Sequence, residues 1–190
     1  ALILLFVIFY KYADGVWGFM ANPFYLELGF TLTEIGVVSK TYGVVMTMIG
    51  VVIGGLIITR YGLLKSVLFG AITMAATNLG YAALAMIGSS VPAFVVAISL
   101  ENIANGIGGT AFIAYLSSLC NIAYTATQYT LLMSFANFSR TLLASGGGWV
   151  ADQVDWVTFF ILTTLAGIPG VVLLLYMMKR YPNHTKAANS

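Results

Sequence analysis

A chain of 190 residues that is 60% hydrophobic and only 7% charged, with a mean hydropathy of +0.96, is not an ordinary soluble domain, in which about a quarter of residues carry charge. Its net charge of +2 rests on too few groups to suggest nucleic acid, and the single Cys120 excludes an internal disulfide or a multi-cysteine metal site. A helix needs roughly 20 apolar residues to cross a bilayer, so the length has room for six crossings and no sizeable soluble domain.

Turn signals divide the chain into six apolar runs at 1–28, 35–58, 64–88, 92–119, 128–151 and 156–178. Each is too long, and too little alternating in polarity, for a barrel strand of about ten residues. The expected fold is all-α and integral to the membrane: a six-helix transmembrane bundle over residues 1–180 and a cytoplasmic tail over 181–190. The first run opens at Ala1 with no initiator Met and no basic leader, which reads as a membrane helix whose upstream sequence is missing. Thr31 to Glu34 and Thr125 to Gln128 both have the spacing of a capping box, so helices should start there. Pro169 predicts a kink in the last run.

Loop charge alternates by side. Glu27 and Glu34 follow the first run, and Asp152 and Asp155 follow the fifth. Arg60 and Lys65 follow the second, and Lys179, Arg180 and Lys186 follow the sixth. By the positive-inside rule both ends of the segment face the cytoplasm and the acidic loops face outward, with Trp149 and Trp156 at the outer interface.

Five charges remain inside the runs: Lys11 and Asp14 in the first, Lys40 in the second, Glu101 in the fourth and Arg140 in the fifth. An intramembrane charge is costly, so each is a candidate functional group, with a static ion pair as the rival reading. Apart from the loop charge Lys65 at the start of the third, the third and sixth runs carry none, so helices one, two, four and five should line a polar pathway while three and six flank it in lipid. Helical spacing groups Lys11, Asp14, Gly15, Gly18 and Asn22 on one face of the first run, and Gly36, Lys40, Gly43, Thr47, Gly50 and Gly54 on one face of the second. It likewise groups Glu101, Asn105, Gly108 and Phe112 in the fourth, and Met133, Asn137, Arg140 and Ala144 in the fifth. Glycines such as Gly43, Gly50, Gly54 and Gly70, with Ser66, Thr73 and Thr77, read first as helix-packing residues. Asp14 and Glu101 are the candidate proton carriers; Lys11, Trp17, Lys40, Asn105, Asn137 and Arg140 are the candidate substrate ligands. Lys40, near its helix end, has snorkelling as its rival role, and Trp17 has packing. No metal-ligand spacing, nucleophile–base pair or Walker loop is present, so neither an enzyme, a cofactor nor a bound metal is expected.

The run from Gly55 to Gly62 resembles the major-facilitator loop motif G-x-x-x-D-R-x-G, with Thr59 in place of the acidic residue and Leu63 in place of a basic one. A fuller resemblance, to the AmpG muropeptide permease family, rests on several strings in order: Lys11-Tyr12-Ala13-Asp14, Glu34 through Thr41, Glu101-Asn102 followed by Gly106 to Gly109, Leu119-Cys120-Asn121, Ala126-Thr127-Gln128, and Gly148-Trp149 through Pro169-Gly170. That resemblance implies the carboxy-terminal six-helix half of a major-facilitator carrier in a bacterial inner membrane. It further implies import of N-acetylglucosaminyl-anhydromuramyl compounds, a sugar-peptide class, driven by protons and completed by an amino-terminal six-helix half. Two other readings stay open: a carrier for another amphiphilic anion or drug, and an orphan half that transports nothing.

Overall fold

In hydrocarbon no water satisfies a backbone N–H or C=O, so long apolar runs close their hydrogen bonds within themselves as helices. The computed structural model has that form. It describes residues 2–120 and 125–180, with side chains described at all of these except 2, 11–14, 125 and 143–145. Six long helices follow in order: α1 (Leu2–Glu27), α2 (Leu32–Tyr61), α3 (Leu63–Ile87), α4 (Val91–Ser118), α5 (Thr125–Ala151) and α6 (Trp156–Arg180). There is no strand among the described residues. All but α5 are long and apolar enough to cross a membrane; α5 matches them in length at 27 residues and packs along α1. The chain is therefore an all-α, multi-pass membrane bundle.

The start of α2 shows how sequence sets the helix entry. Thr31 Oγ1 accepts from the Glu34 N–H at 3.2 Å, and the Glu34 carboxylate accepts from the Thr31 N–H at 2.8 Å, which closes the expected capping box. The Thr125 side chain, half of the second expected box, lies outside the described residues, as does the 181–190 tail. After one α-turn at Leu32–Glu34, α2 runs as a π-helix over Ile35–Tyr42 and returns to α-helix over Gly43–Tyr61. The Gly43 N–H bonds back to the Val38 carbonyl, five residues away instead of four. A single residue, Gly62, then joins α2 to α3 at φ +84°, a conformation with room only for glycine. This explains the final glycine of the loop motif, and Arg60 beside it lies 5.8 Å from the Tyr61 ring centroid.

Neighbours run α2 against α4, α4 against α3, α3 against α6, α6 against α1, and α1 against α5. Helices α3 and α6 are thus more than lipid-facing flanks. They join the α2–α4 and α1–α5 pairs, and they bury Ser66, Asn78 and Thr163. Absence of charge had marked them as peripheral, but neutral hydroxyls, amides and aromatics do their inward work. Close approach depends on missing side chains. A Cβ on Gly54 would lie 3.0 Å from the Ile107 Cα, and one on Gly70 would lie 2.6 Å from the Gly108 Cα, so the packing role expected of these glycines holds. Two aromatic clusters fill the interior: one around Trp17, Phe24, Tyr25, Tyr81 and Phe160, the other around Phe6, Tyr10, Phe112 and Tyr115.

Candidate functional site

Glu101 stands ten residues into α4 from Val91, about 15 Å along the axis at about 1.5 Å per residue, well inside a helix of 28 residues. Its carboxylate is half-buried and gathers donors from three helices. Trp17 of α1 donates its indole N–H to Oε1 at 3.3 Å, and the Tyr81 hydroxyl of α3 donates to Oε2 at 3.3 Å. On α4 itself, Asn102 Nδ2 donates to Oε2 at 3.0 Å and Asn105 Nδ2 donates to Oε1. Asn102 in turn accepts from Thr47 Oγ1 of α2 at 2.8 Å, so four helices meet through one acid. Donors on both carboxylate oxygens suit an ionised carboxylate, and a proton arriving there competes with them.

Beside this cluster is a cavity of about 40 Å³ lined by Trp17, Met74, Asn78, Glu101, Asn105 and Gly170, among others. It has room for a few waters, against the several hundred Å³ of a typical small-molecule pocket. Of the expected site residues, the structure brings Trp17, Asn105 and Glu101 together here. Trp17 does not present a free ring face: it is 4% exposed, with Tyr81 at 4.0 Å and Phe160 at 5.2 Å between ring centroids. It serves as a donor to Glu101.

Arg140 and Asn137 meet elsewhere, in an open cleft between α1 and α5 that Gly18, Phe19 and Thr141 complete. The arginine lies across the small-residue face of α1: a Cβ on Gly15 would fall 2.6 Å from the Arg140 Cγ, and one on Gly18 would fall 2.8 Å from Nη2. The pairing of Gly15 and Gly18 on one face, read from helical spacing, has this physical use. An arginine, an amide, a hydroxyl and a phenyl ring in one cleft can hold a carboxylate attached to an apolar body.

Lys40 is exposed and lines neither cavity. The expected single stripe on the second helix is split, because Gly43, Gly50 and Gly54 are buried against α4 while Lys40 points away. A 3.6-residue period does not carry through a segment bonded five residues apart. The side chains of Lys11, Asp14 and Ala144 lie outside the described residues. Sequence reasoning missed Tyr81 and Asn102 as partners of Glu101; the one available signal was Tyr81 as the single tyrosine of the third run.

A bundle of apolar helices that holds a half-buried carboxylate and a cleft with an arginine has the form of a membrane transporter. The sequence pattern of the Major Facilitator Superfamily matches residues 2–190, and the chain belongs to that family of membrane transporters. Its similarity runs to AmpG-type proteins. It is 35% identical to Putative transporter AmpG 4 of Rickettsia felis over 178 residues, covering 94% of this chain and 43% of that protein. It is 36% identical to Putative transporter AmpG 3 of Rickettsia prowazekii over 188 residues, 97% of this chain and 45% of the relative. Against the anhydromuropeptide permease of Escherichia coli K12 it is 34% identical over 175 residues, 92% of this chain and 36% of that permease. The chain thus spans less than half the length of these relatives.

Proposed function

We propose that the chain is one half of a proton-coupled importer of anhydromuropeptides in a bacterial inner membrane, with both ends of the segment cytoplasmic. A second six-helix bundle completes it, and the two bundles rock about a midplane site in alternating access. The observation that carries the reading is the similarity over more than nine-tenths of the chain to AmpG-type transporters, one of them named as an anhydromuropeptide permease. The geometry supports it with a division of labour. Glu101, at mid-depth among exchangeable donors, is the proton-coupling acid, and Asp14, one turn before Gly18 on α1, is the second. Trp17 and Asn105 act by holding Glu101. Arg140 and Asn137 receive a substrate carboxylate in the α1–α5 cleft, and Lys11 and Lys40 add positive charge for an anionic ligand.

The test uses the complete carrier in proteoliposomes. Glu101→Gln and Asp14→Asn should abolish uphill uptake driven by a proton gradient while sparing substrate exchange down its own gradient. Arg140→Ala should weaken binding of carboxylated substrate more than that of a neutral analogue of equal size. Normal accumulation by both neutral acid variants would remove the acids from proton coupling.

A further inference from the structure

The donors around Glu101 serve its ionised form, and a protonated carboxyl needs an acceptor instead. Trp17 and Asn105 donate to Oε1, and Tyr81 and Asn102 donate to Oε2. An added proton turns one of these oxygens into an O–H donor. The Trp17 indole N–H can only donate. The Asn102 amide is committed, because Nδ2 also donates to the Ile98 carbonyl at 2.9 Å and its oxygen accepts from Thr47 at 2.8 Å. The Tyr81 oxygen accepts from Tyr25 at 3.3 Å.

An amide with nothing to give up lies on the same cavity. Asn78 of α3 lines the space of about 40 Å³ that Glu101 also lines. It is 5% exposed, and its side chain has no hydrogen-bond partner among the described residues. Native proteins rarely leave a buried amide so. The two residues also match in height: Asn78 is nine residues from the end of α3 at Ile87, and Glu101 is ten from the start of α4 at Val91. At about 1.5 Å per residue both stand about 14–15 Å from that end of the bundle. Asn78 is one turn before Tyr81, which already reaches Glu101 from the same helix. Tyr10 and Thr77 line the cavity too, but their hydroxyls already donate to the backbone carbonyls of Gly108 and Met74. Tyr10 and Tyr81 are the titratable groups described around this space; Arg140 lines the other cleft, and Lys40 points away.

We propose that Asn78 is the acceptor for the protonated form of Glu101: on taking a proton the carboxyl turns into the cavity and donates to Asn78 Oδ1, and on losing it the carboxylate returns to its donors. The proposal rests on Glu101 as a proton-coupling acid. The proton is the one that the gradient supplies, and it stays on Glu101; Asn78 gains and loses a hydrogen bond only. Each protonation state then has partners of its own, and the cavity is the room in which the carboxyl changes between them.

Asn78→Leu keeps the size of the side chain and removes the amide, while Asn78→Ser keeps an acceptor oxygen. In infrared difference spectra of the complete carrier between acidic and alkaline pH, the Glu101 carboxyl band is the one that Glu101→Gln removes. Asn78→Leu should shift that band and leave the ionised carboxylate bands in place. In proteoliposomes it should lower gradient-driven uptake about threefold to tenfold, the scale of one hydrogen bond, with substrate counterflow near wild type, and Asn78→Ser should recover part of the loss. If Asn78→Leu leaves the carboxyl band unmoved, the protonated acid has another acceptor and the proposal is wrong. If the ionised bands shift as much, Asn78 supports the surroundings of Glu101 in both states and the proposal is again wrong. Normal uphill uptake by Glu101→Gln overturns the proton-coupling reading, whereas the band still reports the contact, so the two failures are told apart.

Discussion

Replacing Gly50 by alanine tests how the α2–α4 seam is held. The new Cβ would stand 2.9 Å from the Ile103 Cα and 3.0 Å from the Ile103 carbonyl carbon. Carbon contacts normally lie at about 3.5–4.0 Å, and backbone atoms have no rotamer by which to yield, so the helices must part locally by about 0.5–1 Å. A gap of that size forfeits about a quarter to a half of each facing dispersion contact, and overpacking of this kind costs about 1–3 kcal/mol. Gly106 shares the damage, since its own Cβ would meet the Gly50 carbonyl carbon and the Val51 nitrogen at 2.7 Å. Gly55, also on α2, has nothing within 4 Å of its Cβ position. There alanine should be neutral or stabilising by up to about 1 kcal/mol through helix propensity alone. Equilibrium unfolding in mixed micelles, followed by helical circular dichroism, compares the two. Gly50→Ala should lose stability relative to Gly55→Ala, and Gly50→Ala with Gly106→Ala should cost less than the sum of the singles because one gap serves both. Equal stability of Gly50→Ala and Gly55→Ala would refute backbone contact as the basis of the seam.

Tyr10→Phe should destabilise the bundle by about 1 kcal/mol, because it removes the 2.9 Å bond from the Tyr10 hydroxyl to the Gly108 carbonyl; the same unfolding assay reads it. Asp155 caps α6 by accepting from the Thr158 N–H at 3.0 Å and the Thr158 hydroxyl at 2.7 Å, which holds its carboxyl below the ordinary value of 3.8. A lowered folded-state value stabilises above the unfolded one and loses that stabilisation as pH falls through it. The deficit of Asp155→Ala should therefore be present at neutral pH and shrink below pH 3.8; a deficit that grows on acidification contradicts the cap. Lys65→Cys and Asp152→Cys, each in a Cys120→Ser background, should react with an impermeant thiol reagent from opposite sides of the membrane, and reaction from the same side would break the six-crossing topology.

Much of this was legible because its causes are local. Helix length follows from the bilayer, the α2 entry follows from Thr31 and Glu34 within one turn, and Gly50 and Gly54 recur at a spacing that faces one neighbour. The surroundings of Glu101 were not legible, because Trp17 is 84 residues away in sequence and Tyr81 is 20. Charge counting marked the acid but passed over its neutral donors. It also made α3 look idle, whereas Tyr81 and Asn78 of that helix face the interior. The break in the α2 stripe had no compositional signal: nothing in Ile35-Gly36-Val37-Val38-Ser39-Lys40-Thr41-Tyr42 forbids an ordinary α-helix.

That segment has a consequence for how the chain tolerates change in length. Each π-type ring encloses one residue more than an α-type ring, so Ile35–Tyr42 stores slack that the α-helical remainder of α2 lacks. Losing one residue there lets the ladder close at four-residue steps while Gly43, Gly50 and Gly54 keep their places against α4. Only the tip bearing Thr31 and Glu34 then turns, by about 100° for one residue at 3.6 per turn. Loss of one residue within Gly43–Tyr61 has no such reserve and swings every glycine beyond it off the seam. A chain lacking Gly36 should therefore insert and unfold much like the parent, and a chain lacking Val51 should not; equal damage from the two deletions would show that the slack does not exist.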